Sequence, residues 1–121
     1  MYKPPKKLKL DIIVSGYEED KESIVKPIIE NLQKQLDKLD RTDIGVMFGL
    51  GSKKDNNLAE IQNNVLSQSL NTEYYVMLDC TNKILIMPNY ILSILKIIEE
   101  NERTENENEV LILNGINKCQ P

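Results

Sequence analysis

Apolar positions along this chain form two alternating patterns, continuous runs and helical stripes. Four runs, at residues 10–14, 44–48, 74–78 and 110–113, each stop at a cluster of polar, loop-forming residues. Runs of this length predict strands buried on both faces, as in a parallel sheet. Between the first two, Ile24, Val25, Ile28, Ile29, Leu32, Leu36 and Leu39 recur at helical spacing. Leu58, Ile61, Val65, Leu66 and Leu70 repeat that spacing before the third run. Each stripe predicts a helix with one buried face. Residues 18–23 supply the acidic and capping residues of a helix start, and Pro27 belongs in the first turn, where its missing N–H costs nothing. Residues 83–87 predict a short strand or extended segment stopped by Pro88, which opens a third helix. Ile91, Leu92, Ile94, Leu95, Ile97 and Ile98 cover most of that helix's circumference and predict deep burial. Residues 99–109 are acidic without periodicity and predict a surface loop before the last strand.

The order β-α-β-α-β-(β)-α-β predicts an α/β protein, a three-layer α/β/α sandwich with a mainly parallel sheet. At 121 residues the chain is read as one domain: a basic arm at 1–8, a body at 9–114 and a tail at 115–121.

Composition narrows the functions. The net charge of −4 gives no general attraction to nucleic acid, and Lys3, Lys6, Lys7 and Lys9 read as a solvated arm. No stretch approaches the ~20 apolar residues of a membrane span, and the first residues lack the apolar core of a secretory signal. With no histidine in the chain, His-based triads and the commonest metal ligand are excluded. Cys80 and Cys119 are too few for a disulfide framework, and Cys80 reads as a buried thiol without an imidazole partner. Together these features predict a cytoplasmic protein.

In a parallel sheet, ligands bind at the carboxyl ends of the strands. Three clusters fall there. In residues 15–19, Gly16 suits a tight turn and Tyr17 offers a flat ring to a nucleobase. In residues 49–55, two glycines allow backbone N–H groups to approach an anion and Lys53 and Lys54 add positive charge, although the P-loop spacing is absent. In residues 79–82, Asp79 can hold a hard divalent cation that binds phosphate oxygens, or it can form an Asx turn with nearby backbone.

Together these clusters resemble the nucleotide-sugar half of the GT-A glycosyltransferases, above all the inverting family-2 type. Residues 14–18 stand where members carry a Pro-Thr-Tyr-Asn-like turn, and residues 31–35 look like the family's Ser-Leu-x-x-Gln stretch. Residues 49–55 match the Asp-Asp-Gly-Ser-x-Asp segment in part, while Asp79-Cys80-Thr81 and Pro88-Asn89-Tyr90-Ile91 fall at the Asp-x-Asp motif and the Pro-x-x-Leu helix start. The resemblance covers about Lys9 to Asn114. It implies the strand order 3-2-1-4 and binding of a UDP- or GDP-linked sugar. It also implies ligand contacts from Ser15, Tyr17, Glu19, Ser52 and Asp55, and manganese or magnesium held partly by Asp79. Two positions depart from the pattern: the family's base-contacting acid falls at Gly49 or Leu50, and its second metal-binding aspartate falls at Thr81. Members continue into an acceptor-binding half that carries the catalytic base, and no residue here is assigned to that role. Activity as a metal-dependent inverting transferase therefore stays open. So do a non-catalytic binding or assembly domain of the same fold, which includes a homo-oligomer built on the third helix, and an unrelated flavodoxin-like or receiver-like module.

Overall fold

The computed structural model describes residues 7–67, 71–104 and 109–119. Four strands form one sheet: β1 (Leu8–Tyr17), β2 (Ile44–Gly51), β3 (Thr72–Asp79) and β4 (Ile116–Lys118). β1 pairs in parallel with both β2 and β3, and β4 runs antiparallel to β3, giving the order β2-β1-β3-β4. The expected order 3-2-1-4 is therefore corrected: the third strand lies against the first, and the second is left at the sheet edge. Burial follows that placement. Thr72, Tyr74 and Val76 of β3 are buried, whereas Phe48 of β2 is 56% exposed.

Four helices accompany the sheet: α1 (Lys26–Leu39), α2 (Leu58–Ser67), α3 (Tyr90–Thr104) and α4 (Glu109–Leu113). One apolar cluster joins Leu10, Ile12, Val14, Tyr74 and Val76 of the sheet to Ile28 and Leu32 of α1 and to Ile91, Ile94, Leu95 and Ile98 of α3. Each fully buried aliphatic side chain in it stabilises the fold by roughly 1.5–3 kcal/mol. Strand alternation turns Ile13 and Ser15 the other way, and α2 packs on β1 and β2 there through Ile61 and Val65. The approach is close: a Cβ on Gly49 would lie 2.0 Å from Val65 Cγ2.

Several local expectations change. Residues 15–17 and 49–51 continue β1 and β2 rather than forming turns. Gly16 serves close packing instead, since a Cβ there would lie 2.9 Å from Val25 Cγ2. The first helix is entered through a 3-10 turn (Glu18–Asp20) and a π turn (Lys21–Val25), and Pro27 does sit in the first turn of α1. Residues 83–87 form neither helix nor strand and do not join the sheet. The acidic stretch is helical as far as Thr104, because α3 buries Asn101 one turn beyond Ile98. The run at 110–113 is the helix α4, not a strand. Only Leu111 of it is buried, and Gly115, with φ of +69°, reverses the chain into β4. Leu70, residues 105–108 and the arm's first six residues lie outside the described residues.

Candidate functional site

Parallel pairing carries the three polar clusters to one rim. In register, Ser15 faces Asp79 across β1 and β3, and Tyr17 faces Gly51 across β1 and β2. The Cys80 N–H donates to the Ser15 carbonyl at 2.7 Å, so the β1–β3 ladder extends to the edge of the rim.

Asp79 stands exposed at the end of β3. Its Oδ1 accepts the Thr81 N–H at 2.9 Å and the Thr81 hydroxyl at 2.6 Å, an Asx turn that fixes the carboxylate's orientation. Its Oδ2 has no protein partner among the described residues. Beside it Cys80 is fully buried, and burial together with the Asp79 charge pushes its thiol up to about 11. A thiol held there is protonated at neutral pH and is no nucleophile.

The loop after β2 is folded back onto the acidic turn after β1. Three successive N–H groups in it are bonded to side-chain oxygens: Ser52 to Asn56 Oδ1 at 3.1 Å, Lys53 to Glu19 Oε2 at 2.7 Å and Lys54 to Ser52 Oγ at 3.2 Å. The Lys53 ammonium reaches Asp20 at 3.1 Å and stands 5.9 Å from the centre of the Tyr17 ring. That placement is a cation–π contact, so one face of the ring already carries a positive charge.

The six residues singled out in the sequence thus divide. Tyr17, Glu19 and Ser52 are gathered around Lys53, Asp79 ends β3 opposite Ser15 at the same rim, and Asp55 is exposed in the loop after β2, its N–H bonded to the Ser52 carbonyl. Ser15 is 0% exposed: its hydroxyl donates to the Leu78 carbonyl and accepts from Gln62 Nε2, so it ties β1 to β3 and α2 from beneath the rim. Two residues enter the site unannounced. Gln62 follows Ile61 on α2, and its one sequence signal is a polar residue bordering an apolar stripe. Lys53 counted in the sequence only as loop charge, yet it is the hub linking both loops.

Among the described residues no group of three or more Cys, Asp or Glu side chains could hold a metal ion. A cation at Asp79 would have to bring most of its own ligands. At the amino ends of the strands lies a second charged region. Lys9 bonds Glu73 at 2.9 Å and Glu102 at 2.7 Å there, and Arg41 bonds Asp43 at 2.7 Å beside a hollow of about 450 Å³. Lys9 and Arg41 are paired with acids, and Lys9 braces β1 to β3 and α3; Lys7 also lines the hollow.

No described helix is long and apolar enough to cross a membrane. Comparison of the chain with known family models, with curated protein sequences and with solved structures finds no match to any of the three.

Proposed function

We propose that the chain is a GT-A-like domain, a three-layer α/β/α sandwich, that binds a nucleotide-diphospho-sugar at the carboxyl rim of its sheet. One observation carries the reading: parallel pairing brings an aromatic ring, a lysine-bearing loop and an exposed carboxylate to the same edge. Lys53 and Lys54 offset the charge of a diphosphate, and Tyr17 offers its ring to the base or ribose. Asp79 would help to hold a manganese or magnesium ion, which when bound would offset charge on a departing diphosphate. Sugar transfer additionally requires a carboxylate base beside an acceptor hydroxyl. None of these rim residues is assigned that part, so the proposal is donor binding.

Titration calorimetry with UDP, GDP and their sugars, with and without Mn²⁺, tests it. The expected result is metal-dependent binding to the wild type that Asp79→Ala abolishes. Absence of binding by every nucleotide at millimolar concentration overturns the reading in favour of a non-catalytic assembly domain.

A further inference from the structure

We infer that Lys53, with the backbone N–H groups beside it, is the anion-binding element of the rim, and that Glu19 and Asp20 occupy it as an internal competitor for the incoming phosphate. The inference rests on the donor-binding reading and assigns its regulation.

Three features support it. First, the loop already binds an anion: the Lys53 N–H holds the Glu19 carboxylate at 2.7 Å, and the Lys53 ammonium holds the Asp20 carboxylate at 3.1 Å. Donors arranged for a carboxylate are arranged for a phosphate oxygen. Second, the N–H groups of Ser52, Lys53 and Lys54 are all satisfied by side chains and none by the sheet ladder. A ligand oxygen replaces such acceptors by side-chain rotation alone, without unmaking a strand. Third, both acids belong to the irregular 3-10 turn that follows β1 directly; Glu19 is exposed, and the Asp20 side chain is 15% exposed.

Occupancy is then a competition between carboxylates tethered at high effective concentration and a free phosphate of greater charge. The acidic turn raises the ligand concentration needed to fill the rim. When the ligand wins, the Lys53 ammonium leaves Asp20 for the phosphate, and its position over the Tyr17 ring changes with it. The competitor and the base-stacking residue are thereby linked through one lysine.

The test measures binding of inorganic pyrophosphate and of UDP to the wild type, Glu19→Gln, Asp20→Asn and Lys53→Ala, with amide exchange at Lys53 followed by NMR. Glu19→Gln is expected to bind about three- to fivefold more tightly than the wild type, the scale of an exposed charge contact, and Asp20→Asn, whose side chain is only 15% exposed, at least as much more tightly. Lys53→Ala is expected to bind more weakly, and the Lys53 amide is expected to exchange faster in Glu19→Gln. Binding to Glu19→Gln but not to the wild type also supports the inference. Wild-type binding that the acid variants leave unchanged or weaken overturns the competitor while leaving donor binding standing. Absence of binding to every variant overturns both.

Discussion

Gln35 of α1 and Ile91 of α3 lie far apart in sequence, yet the buried Gln35 side chain accepts the Ile91 N–H at 3.0 Å and donates to the Met87 carbonyl at 2.8 Å. One amide thus caps the start of α3 and pins the segment before it. Asn31, one turn earlier on α1, donates to the Ile86 carbonyl at 3.1 Å and adds a second pin. The segment that follows the rim is held by side chains where a sheet would have held it by ladder bonds.

Replacing Gln35 by leucine keeps the bulk and removes its bonds to Ile91, Met87 and Asn31. The Ile91 N–H then loses its acceptor at a cost of roughly 1–3 kcal/mol, whereas the Met87 carbonyl keeps the Tyr90 N–H at 3.1 Å. Urea denaturation of Gln35→Leu is expected to show a loss of about 1–3 kcal/mol. A loss below about 1 kcal/mol would mean that α3 finds another cap.

Asp11 in β1 is 2% exposed, and its Oδ1 has no hydrogen-bond partner among the described residues. Burial pushes its carboxyl up from the ordinary 3.8, against a smaller opposing pull from the Ile12 backbone. The folded state therefore holds this proton more tightly than the unfolded state does. The resulting stability is fully present below about pH 4 and is lost as pH rises through the folded value. Urea midpoints measured from pH 3 to 8 are expected to fall in that window for the wild type relative to Asp11→Asn. Parallel curves for the two proteins would show that the acid ionises freely in the fold.

Gly49 leaves no room for a side chain beneath α2. Gly49→Ala is expected to destabilise by about 1–3 kcal/mol, the usual range for overpacking. Val65→Ala removes the obstructing methyls, so the double variant is expected to be more stable than the sum of the two single losses. Strict additivity in the cycle would contradict the contact.

Cys80 and Cys119 are expected to separate in a thiol-labelling experiment. Cys80 is fully buried with its thiol pushed up to about 11, whereas Cys119 is only half-buried. At pH 8, Cys119 labels on native protein while Cys80 waits for unfolding, and urea brings both to similar rates. Fast native labelling at Cys80 would show that the floor of the rim opens.

Legibility in the sequence depended on whether a pattern was local. The run ending at Asp79 is a strand ending at Asp79, although only one of its faces is buried: Thr72, Tyr74 and Val76 alternate with half-buried positions, where burial on both faces was expected. The run at 110–113 has the same look over fewer residues, and four apolar positions do not separate a strand from a helical turn. The glycines at 49 and 51 looked like a loop because their use is steric and lies in α2, which periodicity cannot place above them. Strand order was hidden for a similar reason: β2 and β3 are both apolar runs, and only the tertiary fold leaves one of them at an edge. At the rim, the polar clusters read from the sequence do end β1, β2 and β3 at one edge of the sheet. They did not show that Ser15 lies beneath it or that Glu19 would face a lysine.

The position of β1 has a consequence for the order of synthesis. Of the four described strands it is the first to leave the ribosome, and both of its hydrogen-bonded neighbours are made later, each after an intervening helix. Its apolar stretch must stay unpaired until two crossovers are complete, and contacts of such long separation form slowly. The nascent chain is thus most exposed to misassembly before β3 emerges, in the very segment that becomes the most enclosed.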